Sequence, residues 1–212
     1  IAAQNDLFLP VKAAGKTNFA LWNEAAQVDI DTLKTVKSPK DAFFPQSETL
    51  YHCQKDGKNL SIQPEKLEEE TFVVFGIKGC DVRGIQVLDK VFLAEPVDSF
   101  YCARRKHGVI VSLACGQPEE SCFCKVFGID CAEPEGDVVT WLAEGYLYWK
   151  PVTEKGEAEF NRQRLFMREM NHLMKKTNKV LILVSHTNKS GGKDAPGMSH
   201  IIGSSAIAQV ST

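Results

Sequence analysis

Two apolar runs that each lead into a cysteine constrain the fold of this chain most strongly. The first run covers residues 71–77 and is followed by Cys80, and the second covers 109–114 and is followed directly by Cys115. Short continuous runs rich in Val, Ile and Phe predict strands that are buried on both faces. Between the runs, apolar residues recur at helical spacing and predict one buried helix face. The members of that face are Val82, Ile85, Leu88, Val91 and Phe92.

A strand, a helix and a second strand of these lengths predict a right-handed crossover between two parallel strands. In such sheets, ligands bind outside the carboxyl ends of the strands. Cys80 and Cys115 both follow a predicted strand end, so we expect two separate segments to deliver thiols to one place. Cys122 and Cys124 follow in a short loop, and Asp81 is placed to cap the helix. The sequence therefore predicts a site built from four thiols.

Three interpretations of the four thiols fit their spacing: an iron–sulfur cluster, structural zinc, or a loop of reactive or paired thiols that holds no metal. The spacing differs from a ferredoxin run, in which two residues separate successive cysteines. The chain has seven cysteines. We expect no export signal, which would favour metal or redox use of the thiols over a disulfide framework. Cys53, Cys102 and Cys131 fit no ligand spacing as well, and we expect them to be small buried or surface thiols.

The bulk composition excludes several classes of protein. The 212 residues are 43% hydrophobic, which suits one ordinary domain or two small ones. The net charge of −2 indicates no nucleic-acid or membrane surface overall. No apolar run approaches the ~20 residues that a membrane span needs. We also expect no signal peptide, and hence a cytoplasmic protein.

The flanking segments complete the predicted fold class. It is an α/β protein with a small mixed sheet, a βαβ crossover, N-terminal β-hairpins and a C-terminal helix–strand segment. Ala14-Gly15 and Asp56-Gly57 predict the two hairpin turns, and Ser38 followed by Pro39 predicts a helical start. Further predicted elements are an edge strand or short helix at 28–37, a charged turn or helix at 64–70, an aromatic strand at 146–152, a helix at 160–177 and a strand at 180–184.

Residues 104–107, Arg-Arg-Lys-His, form the one basic cluster in the sequence. A solvated loop is the simpler interpretation. The functional alternative is a surface on which a partner or an anionic cofactor docks.

Residues from about 7 to 158 resemble the region before the ferredoxin module in two kinds of iron–sulfur protein, the beta subunits of sulfhydrogenases and the corresponding chain of anaerobic sulfite reductases. The matching segments are SPKDAFFPQSE, GIKGCDVRGIQVLDKVFL, residues 101–105 with Arg104-Arg105, and LACGQPEESCFC followed by FGID. The paired ferredoxin motifs of that family are absent from this chain. Any onward electron path through such motifs must therefore be missing or lie outside these residues.

This resemblance implies an iron–sulfur redox subunit that is not catalytic alone. It would pass electrons between a flavin-binding partner and a catalytic partner. By the same analogy, Cys80, Cys115, Cys122 and Cys124 would ligate a [4Fe-4S] cluster. Asp81 would be either an oxygen ligand or a residue that supports the ligands without binding the metal itself. Zinc is the alternative metal.

The C-terminal part resembles a different family. LILVSHTNK, a Gly-rich loop and GSSAIAQ, within residues 162–212, are similar to late strands of the RecA-type core in replicative helicases. The resemblance implies that His186 senses a terminal phosphate and that the loop to Ser199 faces DNA. No Walker A loop or Walker B acid precedes them, so we expect no ATP hydrolysis by this chain alone. Nucleic acid is a partner under this interpretation only. The predicted units are 1–158, iron–sulfur-subunit-like, and 159–212, RecA-like.

Overall fold

The computed structural model describes residues 6–143, 146–162 and 180–183, and these contain nine strands and three α-helices. In chain order the elements are β1 (Asp6–Ala13), β2 (Lys16–Leu21), β3 (Tyr51–Asp56), β4 (Asn59–Pro64), β5 (Phe72–Ile77), α1 (Gly79–Phe92), α2 (Ser99–His107), β6 (Gly108–Leu113), β7 (Val138–Ala143), β8 (Tyr146–Pro151), α3 (Glu154–Arg162) and β9 (Val180–Leu183). Short 3-10 helices cover Pro39–Ala42 and Cys124–Phe127.

The two apolar runs are the neighbouring parallel strands β5 and β6, as predicted. Phe72 lies opposite Gly108, and Val74 lies opposite Ile110. Every residue of both strands is buried. The connection between them contains α1 and also α2, where the sequence indicated only a polar link. Helix α2 begins at a side-chain cap, because the Asp98 carboxylate accepts the backbone N–H of Tyr101 at 2.8 Å.

One seven-stranded mixed sheet organises the described residues, in the order β2-β1-β5-β6-β7-β8-β9. Strands β1, β5, β6 and β7 run parallel to one another, whereas β2 and β8 run antiparallel to their neighbours β1 and β7. Strand β9 pairs in parallel with β8. The predicted fold class, an α/β protein with a mixed sheet, a crossover and N-terminal hairpins, is confirmed.

Side chains of the central strands alternate between two apolar layers, because successive residues of a strand point to opposite faces. Val73 and Phe75 pack on one face, together with Leu9 and Trp149. The other face is covered by α1, α2 and the 3-10 helix at Pro39–Ala42. Its buried members are Phe43, Phe72, Val74, Ile77, Val82, Ile85, Tyr101 and Ile110.

A bulge at Gly76 changes the face to which the end of β5 points. The register shifts between Phe75 and Ile77, so these two residues pack on opposite faces although they are two positions apart. Gly76 adopts φ +89°, a conformation that favours glycine, and a Cβ there would lie 3.2 Å from Pro10 Cδ. The bulge therefore sets the direction in which the chain leaves the sheet just before Cys80.

Both predicted hairpins are confirmed. In the β1–β2 turn, Ala14 and Gly15 have φ +50° and +76°, and Gly57 in the β3–β4 turn has φ +57°. Strands β3 and β4 form a separate two-stranded sheet in which all residues are exposed. The Ser38 side chain caps the 3-10 helix with Pro39 in its first turn, as expected.

Several local predictions were wrong. Residues 28–37 form neither a strand nor a helix. A bridge from Val28 to Val11 and backbone hydrogen bonds from Asp29 N–H to the Pro10 carbonyl and from Val36 N–H to the Thr17 carbonyl join them to the sheet. The N-cap of α1 is Lys78 rather than Asp81, which lies in the first turn. Val91 is exposed rather than part of the buried helix face. The segment after Pro64 contains no helix.

The C-terminal predictions are tested in part. The strand at 146–152 is β8, and the strand at 180–184 is β9. Helix α3 begins at Glu154, six residues before the predicted start. Residues 163–179 lie outside the described part of the chain, and so do His186 and the loop to Ser199.

Candidate metal centre

Two of the predicted ligands lie at the carboxyl ends of neighbouring strands. Strand β5 ends at Ile77, and Cys80 is the second residue of α1. Strand β6 ends at Leu113, and Cys115 follows two residues later. Because β5 and β6 are parallel, these ends meet at the same edge of the sheet. Backbone hydrogen bonds hold the start of the next segment in place, from Ala114 N–H to the Thr140 carbonyl at 2.9 Å and from Cys115 N–H to the Cys131 carbonyl at 2.9 Å.

The loop after β6 brings Cys122 and Cys124 back toward this edge. The Cys122 N–H donates to the Glu119 carbonyl at 2.9 Å, and the Glu119 N–H donates to Cys122 Sγ at 3.3 Å. Cys124 begins the short 3-10 helix, which Gly128 ends at φ +65°. The Ile129 N–H then donates to the Cys124 carbonyl at 3.0 Å. The loop is therefore internally hydrogen-bonded around both cysteines.

Close packing joins the same loop to the start of α1. Gly79 is buried, and a Cβ at this position would lie 3.0 Å from Ile129 Cγ2 and 3.1 Å from Pro134 Cβ. Farther along the helix, Glu135 lies 3.8 Å from Arg83 and also accepts a hydrogen bond from Gln86. The absence of a side chain at Gly79 thus lets the cysteine loop approach the residue next to Cys80.

The protonation of the thiols indicates which of them are neighbours. Burial raises the pKa of Cys80 to about 11, and the negative charges of Asp81, Cys124 and Cys115 add to the effect. Burial also raises the pKa of Cys115, against the attraction of Lys78 and with the repulsion of Cys124 and Cys122. Cys124 therefore influences both Cys80 and Cys115, and Cys122 influences Cys115. At neutral pH, Cys80 and Cys115 would be protonated thiols in the metal-free chain.

A fifth thiol, Cys131, belongs to the same group, although its sequence spacing did not predict this. Burial raises the pKa of Cys131 to about 11, and a hydrogen bond with Cys124 and the charges of Cys124, Cys115 and Cys122 act in the same direction. The one sequence signal that could have indicated it is its place soon after the FGID segment. The remaining two cysteines lie elsewhere, Cys53 on the exposed hairpin and Cys102 in α2.

Two lysines place positive charge beside the thiols. Lys78 precedes α1; burial lowers its pKa, whereas the charges of Cys115, Cys80 and Asp31 oppose that effect. Lys34 pairs with Glu119 at 2.6 Å and donates to the Ser121 hydroxyl. The Glu119 hydrogen bond raises the pKa of Lys34, and Cys122 and Cys80 act in the same direction. A negatively charged group held by the thiols would be partly neutralised by these cations.

Asp81 contacts the 3-10 helix rather than a thiol. Its Oδ1 accepts a hydrogen bond from the Ser38 hydroxyl at 2.6 Å. Burial raises the pKa of Asp81, while the Ser38 hydrogen bond and the charge of Lys40 lower it. This hydrogen bond links the first turn of α1 to the start of the 3-10 helix that packs against it.

Arg104 and Arg105 have structural contacts instead of forming a solvated loop. Both lie in the last turn of α2. Arg104 binds Glu48 through both terminal nitrogens and donates to the Phe43 carbonyl at 2.9 Å. Arg105 forms a two-point ion pair with Asp89, at 2.6 and 2.8 Å. The two guanidinium groups therefore join α2 to α1 and to the segment that contains Phe43 and Glu48.

The thiols are the type of donor that a soft metal centre takes, but their side chains do not form a complete set of ligands around one point. Thiols follow two strand ends at one edge of the sheet and recur in the loop after β6, and thiolate is the ligand that iron–sulfur clusters and zinc both take. Within 6–143, 146–162 and 180–183, no group of three or more His, Cys, Asp or Glu side chains stands in a metal-holding arrangement. Ligation would require the thiols to lose their protons and draw together around the metal.

Comparison with known proteins agrees with one of the two resemblances. The chain is similar to a sulfhydrogenase beta subunit. Over 158 residues it is 34% identical to sulfhydrogenase 2 subunit beta of Pyrococcus furiosus. The match covers 74% of this chain and 46% of the relative, so the chain spans about half the length of the curated relative it matches. No family model and no solved structure matches the chain.

The comparisons give no support to the helicase resemblance of residues 162–212 or to the zinc alternative. In the part of the chain that the structure describes, no helix has both the length and the apolar character needed to cross a membrane.

Proposed function

We propose that this chain is an iron–sulfur electron-transfer unit of a multi-subunit oxidoreductase. The observation that supports the proposal is that Cys80 and Cys115 follow the carboxyl ends of two neighbouring parallel strands, with Cys122 and Cys124 in the loop after the second strand. The similarity to a sulfhydrogenase beta subunit supports it independently, because the match is with a named subunit of a redox complex.

The proposed ligands of a [4Fe-4S] cluster are the four thiols Cys80, Cys115, Cys122 and Cys124. When bound, such a cluster takes up and releases single electrons. The chain supplies sulfur donors from two strand ends and one loop; Cys80 is exposed, and the other three are partly buried. The amide of Glu119 already donates to Cys122 Sγ, as amides do to ligating sulfurs. Lys34 and Lys78 would lower the electrostatic cost of a net negative centre.

In this proposal Asp81 positions a ligand and is not an oxygen ligand itself. Its carboxylate accepts the Ser38 hydroxyl, which holds the turn that carries Cys80. A carboxylate that accepts this hydrogen bond is turned toward Ser38, the residue that caps the 3-10 helix.

The proposed partners are two other subunits, one flavin-binding and one catalytic, with this chain passing electrons between them. The chain would have no catalytic activity alone. The thiol loop supports such a relay because its residues are accessible to a partner: Phe123 is 59% exposed and Val126 82% exposed beside Cys122 and Cys124. A centre close to the surface is what electron exchange between proteins requires.

The test is anaerobic reconstitution of the purified chain with ferrous iron and sulfide, followed by iron and sulfide quantitation and visible absorption. We expect about four of each per chain for a [4Fe-4S] cluster. Cys115→Ser should lose most of the bound iron. Cys53→Ser, at the exposed hairpin thiol, should retain it and is the matched control.

Either of two results would contradict the proposal. One is purified protein with about one zinc and no iron per chain, which would instead indicate structural zinc. The other is iron binding that is equally insensitive to Cys115→Ser and Cys53→Ser, which would indicate adventitious iron.

A further inference from the structure

The β3–β4 hairpin has one apolar face, and the described part of the chain does not cover it. Residues directly opposite each other in an antiparallel pair point to the same side. One side of the hairpin carries the cross-strand pairs Tyr51–Pro64, Cys53–Ile62 and Lys55–Leu60. We call this side the apolar hairpin face. All of its residues are exposed, and the exposed fraction reaches 57% for Ile62 and 64% for Leu60.

The opposite face of the hairpin consists of polar residues only, among them His52 and Ser61. Strands that alternate between apolar and polar side chains are typical of a sheet that buries one face. The hairpin is a separate two-stranded sheet, and such a sheet is marginally stable in water by itself. Its sequence is therefore that of a sheet whose apolar face packs against another surface.

Charges at the two ends of the hairpin make this surface complementary to itself. At the tip, Lys55 and Lys58 outnumber Asp56, whereas residues 65–70 at the base contain four glutamates and one lysine. Six strand residues separate the two ends by about 20 Å. When a second copy is turned end for end, each basic tip lies against an acidic base. The same patch on two copies can then form an interface with two-fold symmetry.

We infer that two copies of this chain associate through their apolar hairpin faces, with the tip of each hairpin against the base of the other. The two-fold axis passes beside the central pair, Cys53–Ile62, so Cys53 of one copy faces Cys53 of the second copy. Two strands about 20 Å long cover less than the roughly 800 Å² per partner of a standard interface. The dimer should therefore dissociate on dilution.

The first experiment is sedimentation velocity of the full chain over a wide range of concentrations, with the thiols kept reduced. We expect the wild type to pass from monomer to dimer as its concentration rises. Ile62→Glu would bury an unpaired charge in the interface and should raise the dissociation constant more than about tenfold. Ser61→Glu adds the same charge on the polar face, one residue away, and is the matched control that should still dimerise.

The orientation of the two copies is tested by salt and by cross-linking. Because oppositely charged ends meet, added salt should weaken the dimer. A short bis-maleimide should join Cys53 to Cys53 in the wild type and in Cys102→Ser, but not in Ile62→Glu, as identified by peptide mass spectrometry.

A wild-type chain that stays monomeric at its highest soluble concentration would overturn the inference. So would a dimer that Ile62→Glu and Ser61→Glu affect equally, because the interface would then lie elsewhere. A dimer that salt strengthens would overturn the tip-to-base arrangement. None of these measurements needs a bound metal, so their outcome is independent of the proposed iron–sulfur function.

Discussion

Two glycines of α1 allow a matched test of how the cysteine loop is seated. Gly79 and Gly84 belong to the same 14-residue helix, but their surroundings differ. A methyl group on Gly79 would lie 3.0 Å from Ile129 Cγ2 and 3.1 Å from Pro134 Cβ, both in the loop. A methyl group on Gly84 would lie 3.4 Å from Cδ of the flexible Lys40 side chain. The same substitution should therefore have opposite effects at the two positions.

The magnitudes follow from helix propensity and packing. Inside a helix, a Gly→Ala substitution raises the free energy of unfolding by about 0.5–1 kcal/mol. We expect this increase for Gly84→Ala. At Gly79, in the first turn, the gain is smaller. Ordinary carbon–carbon contacts need about 3.5–4.0 Å, so the loop would have to move by several tenths of an ångström. Overpacking of this kind costs about 1–3 kcal/mol, so we expect the two variants to differ by about 2 kcal/mol.

The assay is thermal unfolding of the metal-free chain, followed by far-UV circular dichroism. For a protein of this size, about 2 kcal/mol corresponds to a difference of about 4–8 °C in Tm. Because the shifted loop carries Cys122 and Cys124, Gly79→Ala should also retain less iron than Gly84→Ala after reconstitution. If Gly79→Ala proved as stable as Gly84→Ala and held as much iron, the loop would not rest on the start of α1, and the proposed geometry of the site would be wrong.

Two further predictions concern ionisation. In the metal-free chain, Cys53 and Cys80 are both exposed, but Cys80, with a pKa raised to about 11, should react with iodoacetamide at pH 8 more slowly than Cys53, and mass spectrometry that found equal rates would contradict the raised pKa of Cys80. Burial raises the pKa of Asp89, but the hydrogen bonds from Arg105 and Tyr101 outweigh it and lower the pKa overall. A lowered carboxyl pKa stabilises the fold above the unfolded value of about 3.9 and loses that contribution as the pH falls through the folded pKa. Asp89→Asn should thus lower the free energy of unfolding by about 2 kcal/mol at pH 7 and by much less near pH 2. A loss of stability that did not depend on pH would show that the charge of Asp89 is not the cause.

Local sequence patterns were sufficient to predict the structure where a short stretch of chain determines its own conformation. The runs at 71–77 and 109–114 became buried parallel strands, because a strand that carries apolar side chains on both faces is stable only between two covering layers. The turns at Ala14-Gly15 and Gly57 formed as predicted, since Gly15 and Gly57 adopt positive φ angles at low cost. Residues 28–37 lacked such a signal, and the alternation of their side chains was misleading because long-range packing of Ile30 under the sheet decides their course.

By itself, the sequence determined the central crossover, the hairpins and the placement of Cys80 and Cys115 after two neighbouring strand ends, because apolar runs of this kind form parallel strands that end at one edge. Only the tertiary structure decided that the Cys131 carbonyl accepts the N–H of Cys115, that Asp81 turns to Ser38, and that the two arginines bind Glu48 and Asp89. These contacts depend on where a 24-residue loop between β6 and β7 folds back and on how two helices pack. Neither is encoded in the spacing of neighbouring residues, since both arise from close packing between segments that are distant in the chain.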